Sequence, residues 1–78
     1  MTKQAAAHIT KLRADVAALR LTIATFDRAE VHYRSRPGAI NALHANTAKA
    51  NAARARAELD VVVGEIESII AIYDPSRD

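Results

Sequence analysis

The side chains with chemistry to offer are three histidines (His8, His32, His44), four close-set acids (Glu58, Asp60, Glu65, Glu67) and a scatter of arginines. A helical zinc or iron site needs imidazoles one turn apart, joined by a carboxylate or thiolate. These histidines lie 24 and 12 positions apart, the chain has no cysteine, and no His-x3-His pair occurs. No metal or other cofactor is expected. The acids do not read as an acid–base pair. If the two halves of the chain fold back on each other, they lie level with Lys3, Lys11 and Arg13, and interhelical ion pairs are the plain expectation. Such pairs select register more than they add stability. Glycine-rich phosphate loops and nucleophile–base motifs are absent, so the sequence predicts no enzyme and no catalytic residue.

The basic residues are unevenly spread. Residues 20–56 carry Arg20, Arg28, Arg34, Arg36, Lys49, Arg54 and Arg56 against only Asp27 and Glu30, an excess of five positive charges within a total of +2. The rest of the chain is correspondingly acidic. Arg28, Arg34, Arg36, Lys49, Arg54 and Arg56 are therefore the candidate site for an anion or an acidic partner. Nucleic acid or a nucleotide is the second reading. No aromatic side chain interleaves with the arginines to stack bases, and the small overall excess argues against a strong polyanion binder.

The elements that hold these groups follow from periodicity. Ile9, Leu12, Val16, Leu19, Ile23 and Phe26 are spaced 3, 4, 3, 4, 3, with Ala5 and Tyr33 in the same frame and Glu30 the one polar interruption. This a/d heptad predicts a long amphipathic helix. Residues 61–73, VVVGEIESIIAIY, suit a strand by composition, but their alternation is poor. Leu59, Val62, Ile66, Ile69 and Tyr73 instead step by 3 and 4, and the same frame runs back through Ala55, Ala52, Ala48 and Ala45. The cost of β-branched residues in a helix is roughly a few tenths of a kcal/mol each, which packing overrides. Helix is the expectation.

Pro37 biases Arg36 out of the helical region and suits a helix start, and Asp74-Pro75 provides a stop. Helix 1 is thus expected over about 3–34, a turn at 35–37, helix 2 over about 38–73 and a short tail at 74–78, all in one domain. So short a turn makes the fold an all-α antiparallel hairpin. Phe26, Ile23 and Leu19 then face the alanines at 45–55, and Ala5–Ala7 face Ile66 and Ile69, large against small at both ends.

Each helix carries a second ladder that one hairpin does not need. On helix 1 it runs Ala7, Thr10, Ala14, Ala17, Leu21, Ala24 and Val31, broken by Arg28. On helix 2 it runs Ile40, Leu43, Thr47, Ala50, Ala57, Val61 and Gly64, broken by Arg54. A core built by 78 residues, 18 of them alanine, is marginal, and small scaffolds usually recruit burial from a copy or partner. The second ladders are the expected oligomer or partner seam, with a homodimeric four-helix bundle as the leading architecture. The N-terminus lacks a signal-type apolar region and no apolar run approaches the ~20 residues of a membrane span, so a cytoplasmic protein is expected. The functional expectation is a non-catalytic protein-binding module, a small regulator or inhibitor of the kind common among phage accessory proteins. The alternatives are nucleic-acid binding at the basic turn end and a purely structural assembly module.

Overall fold

The computed structural model describes residues 1–73; the expected tail and its Asp74-Pro75 stop lie outside the described residues. Two long helices, α1 (Lys3–Arg34) and α2 (Ala39–Tyr73), pack side by side as an antiparallel hairpin. There is no strand among the described residues, and VVVGEIESIIAIY is the C-terminal third of α2. Among the described residues no helix is long and apolar enough to cross a membrane.

Local chemistry sets the helix ends. Thr2 is extended, and its Oγ1 accepts a hydrogen bond from the Ala5 N–H at 3.0 Å, satisfying one of the free donors of the first turn of α1. At the other end, Ser35 donates from Oγ to the His32 carbonyl at 2.7 Å, while His32 and Arg34 place positive charge on the last turn. The second helix begins at Ala39, not at Pro37. Gly38 is the reason: its φ of 110° is left-handed backbone, which helical residues do not adopt and which glycine reaches without a Cβ clash. The Gly38 carbonyl nevertheless accepts from the Ala42 N–H at 3.1 Å, so Gly38 acts as the flanking residue of α2. The Asn41 amide donates to the Pro37 carbonyl at 3.0 Å and holds the reversal together.

The interface follows the predicted seams, with an unexpected distribution of burial. Ile9, Leu12 and Ile23 are buried on α1, and Ala45, Ala48, Ala52 and Ala55 are buried on α2. Val16, Leu19, Phe26 and Tyr33 are half-buried, as are Leu59, Val62, Ile66 and Ile69, and Tyr73 is exposed. The alanine half of the α2 seam is therefore better covered than its large-residue half. Alanines let the helices approach, and Phe26, Ile23 and Leu19 close over them. At the open end Ala5 lines a shallow groove with Ile69, Ile72 and Tyr73, so the large-residue half of the seam is left partly open there. Among the described residues no large side chain is fully buried.

A two-helix layer has only one such interface. The Cα extents are 56 × 21 × 13 Å, and the radius of gyration is 17.5 Å, against about 11.5 Å for a compact domain of this length. The hairpin is a rod.

Candidate interaction surfaces

Three cross-helix pairs fix which flanks of the rod belong together. On one flank Arg56 pairs with Asp27 at 2.5 Å, and the Arg34 guanidinium donates to the Asn46 side-chain oxygen at 3.2 Å. On the other, His8 Nε2 meets Glu65 Oε1 at 3.3 Å. With the buried seams as heptad positions a and d, Asp27, Arg34 and Arg56 are all e positions, whereas His8 and Glu65 are both g positions. This is the e-to-e and g-to-g matching that antiparallel helices produce.

The expected ion pairs at the acidic end are only partly realised. Glu65 crosses to α1, but to His8 and not to a lysine or arginine. Lys11 pairs at 3.5 Å with Asp15 one turn along its own helix. Geometry is the cause: Lys11 stands on the back of α1, and the facing g position at the level of Glu65 is His8. Glu58, Asp60 and Glu67 have no cationic partner among the described residues.

All six candidate basic residues are exposed. Arg34 is clamped by Glu30 at 3.0 Å as well as by Asn46, and Arg54 is bonded to the neighbouring Asn51. With Arg56 on Asp27, only Arg28, Arg36 and Lys49 have no side-chain partner among the described residues. The fold also sorts charge by face, which the end-to-end reading missed. Arg13, Arg20, Arg34, Lys49 and Arg56 all occupy e positions on one flank, with Asp27 the one acid in that row. The signal was present in the sequence as a heptad register, but only the cross-helix pairs show that the e positions of both helices share a flank.

The second ladders stand where the periodicity places them, on the backs of the helices. Leu21, Val31, Ile40, Leu43 and Val61 are between 63% and 72% exposed, values typical of surface lysines and unusual for five large apolar side chains in one small chain. Ala50 and Ala57 are exposed and Gly64 is half-buried. A Cβ built on Gly64 meets no atom within 4 Å, so the glycine leaves an open notch in the helix surface. At about 100° per residue, the outer seam of α1 is centred about 150° round from its buried seam, towards the Asp27–Arg56 flank. That of α2 lies about 160° round in the opposite sense, towards the His8–Glu65 flank. The two outer seams thus look away from each other, and one flat partner cannot touch both.

At the open end, Thr2, Ala5, His8, Ile69, Ile72 and Tyr73 line a shallow groove of about 350 Å³ whose one titratable imidazole is already engaged by Glu65. His32, Tyr33 and His44 form a small aromatic stack near the turn, with Tyr33 5.3 Å from His32 and 5.0 Å from His44 between ring centroids. No group of three metal-ligating side chains occurs among the described residues. No family model, curated protein or solved structure matches the chain.

Proposed function

We propose that the hairpin is a non-catalytic protein-binding module, a small regulator or inhibitor that acts by docking on a partner macromolecule. The supporting observation is the placement of Leu21 and Val31, both about 70% exposed, on an outer seam of α1 otherwise made of Ala7, Thr10, Ala14, Ala17 and Ala24. Small residues let a foreign helix come close, and two large ones supply anchors. The seam borders the basic row of Arg13, Arg20 and Arg34 and carries Arg28 within it. The partner that fits is a helical surface with a narrow apolar strip edged by carboxylates. Burial of the strip provides affinity, and the charges steer encounter and orientation.

Affinity capture from the native host, followed by titration of the recovered protein against Leu21→Glu and Val31→Glu, tests the reading. Loss of binding by these variants, with wild-type affinity only weakly dependent on salt, supports it. Equal binding by wild type and variants refutes it. The basic row favours nucleic acid as the second reading. There the affinity would fall steeply with salt, survive Leu21→Glu and collapse when Arg20, Arg34 and Lys49 become glutamate.

A further inference from the structure

The outer seam of α2 has a different character from that of α1, and its own residues say what covers it. We infer that it is a two-fold interface with a second copy of this chain, antiparallel and centred between Ala50 and Arg54. This inference does not rest on the docking reading, which uses α1.

A compact monomer of 8.4 kDa exposes about 4,600 Å², whereas the hairpin exposes 5698 Å², leaving a surplus of roughly 1,100 Å². A stable interface of standard size covers about 800 Å² per partner, so one copy laid on one long face accounts for most of the surplus.

A two-fold interface demands self-complementarity, because the same patch must serve on both sides. When α2 is laid antiparallel on itself about that centre, Ile40 falls on Gly64 of the other copy. Leu43 falls on Val61, Thr47 on Ala57, and Ala50 on Arg54. The notch at Gly64 receives Ile40, the most exposed of the seam's large apolar side chains. Arg54 is the one charged member of the line, and its guanidinium bonds the neighbouring Asn51 on the g flank.

Charge favours the same orientation. The turn end is basic and the open end acidic, so antiparallel copies set opposite poles together where parallel copies would set like poles together. Along the flanks of this register, Glu58 meets the second copy's His44, and Asp60 meets its Asn46. Glu65 and Glu67 reach the N-terminus of the second α2, whose first turn carries no acid of its own to complement the helix dipole. The two seams of α2 lie too far apart round the helix for the square arrangement of a four-helix bundle, which needs about 90°. The dimer is an open layer of four helices, ordered α1, α2, α2, α1, and it leaves both α1 outer seams free.

Sedimentation equilibrium with charge-swap variants tests the inference. Wild type is expected at twice 8.4 kDa. Leu43→Glu and Val61→Lys should each halve that mass with helicity by circular dichroism unchanged. The double variant Leu43→Glu/Val61→Lys should recover the dimer, because antiparallel copies bring each new glutamate to a new lysine. A wild-type monomer overturns the inference. So does a dimer that survives Leu43→Glu but dissociates with Leu21→Glu, and so does a double variant that stays monomeric while both single variants remain folded.

Discussion

Substituting Gly64 by alanine tests the reading of α2 most directly. Gly64 sits within α2, nine residues from its end at Tyr73, where glycine costs about 0.8–1.0 kcal/mol relative to alanine through the extra freedom of the unfolded chain. The gain is realised only if the new methyl meets no obstacle, and a Cβ at this position meets nothing within 4 Å of the isolated hairpin. Nearly the full amount should therefore appear as stability. For a domain of this size 1 kcal/mol corresponds to about 4–8 °C, so thermal melts followed by circular dichroism should show Tm rising by roughly 3–8 °C at high dilution. In the self-associated form the same methyl partly fills the notch offered to the second copy's Ile40. The gain should shrink as protein concentration rises through the dimer transition. A lower Tm at high dilution would refute the reasoning, because it would mean that Gly64 does not lie on an open face of a regular helix.

The remaining predictions concern the hairpin itself. Ile23→Ala removes one of three large buried side chains and should cost about 2–4 kcal/mol by urea unfolding, whereas Leu21→Ala, two residues away on the exposed back, should cost under about 0.5 kcal/mol at high dilution. Ala52→Leu forces a larger side chain between helices where Ala52 is 1% exposed, and should destabilise by about 1–3 kcal/mol in the same assay even though the change is to a more apolar residue. Gly38→Ala places a Cβ on backbone with φ 110° and should cost on the order of 1–3 kcal/mol although no neighbouring atom stands in its way; an unchanged unfolding midpoint would show that the turn relaxes freely.

The heptads state which residues face which without any coordinates. A 3,4 step through Ile9, Leu12, Val16, Leu19, Ile23 and Phe26 has one solution, a helix with one apolar face, because side-chain direction along a helix is set by its pitch. The same logic turns the β-branched segment after Asp60 into helix, since the frame continues through it from the alanines. A break confined to Ser35–Gly38 leaves the chain no room to do anything but reverse. The second ladders were legible for the same reason, and Leu21, Val31, Ile40, Leu43 and Val61 are exposed where the ladders place them.

What tertiary structure decided depends on the rotation of one helix against the other and on side-chain length, neither of which a period contains. It assigned Glu65 to His8 instead of a lysine, and Arg56 to Asp27, because only e and g positions look across the interface. It drew Arg13 and Arg20 into a row with Arg34, Lys49 and Arg56, adding a basic flank to the basic turn end. It buried four alanines more deeply than the isoleucines of α2, because coverage depends on what stands opposite and not on how apolar a residue is. It also turned the two outer seams away from each other. Sequence alone supplied four apolar stripes and set two of them against each other; only the packing of the helices shows that the other two face outwards in opposite directions.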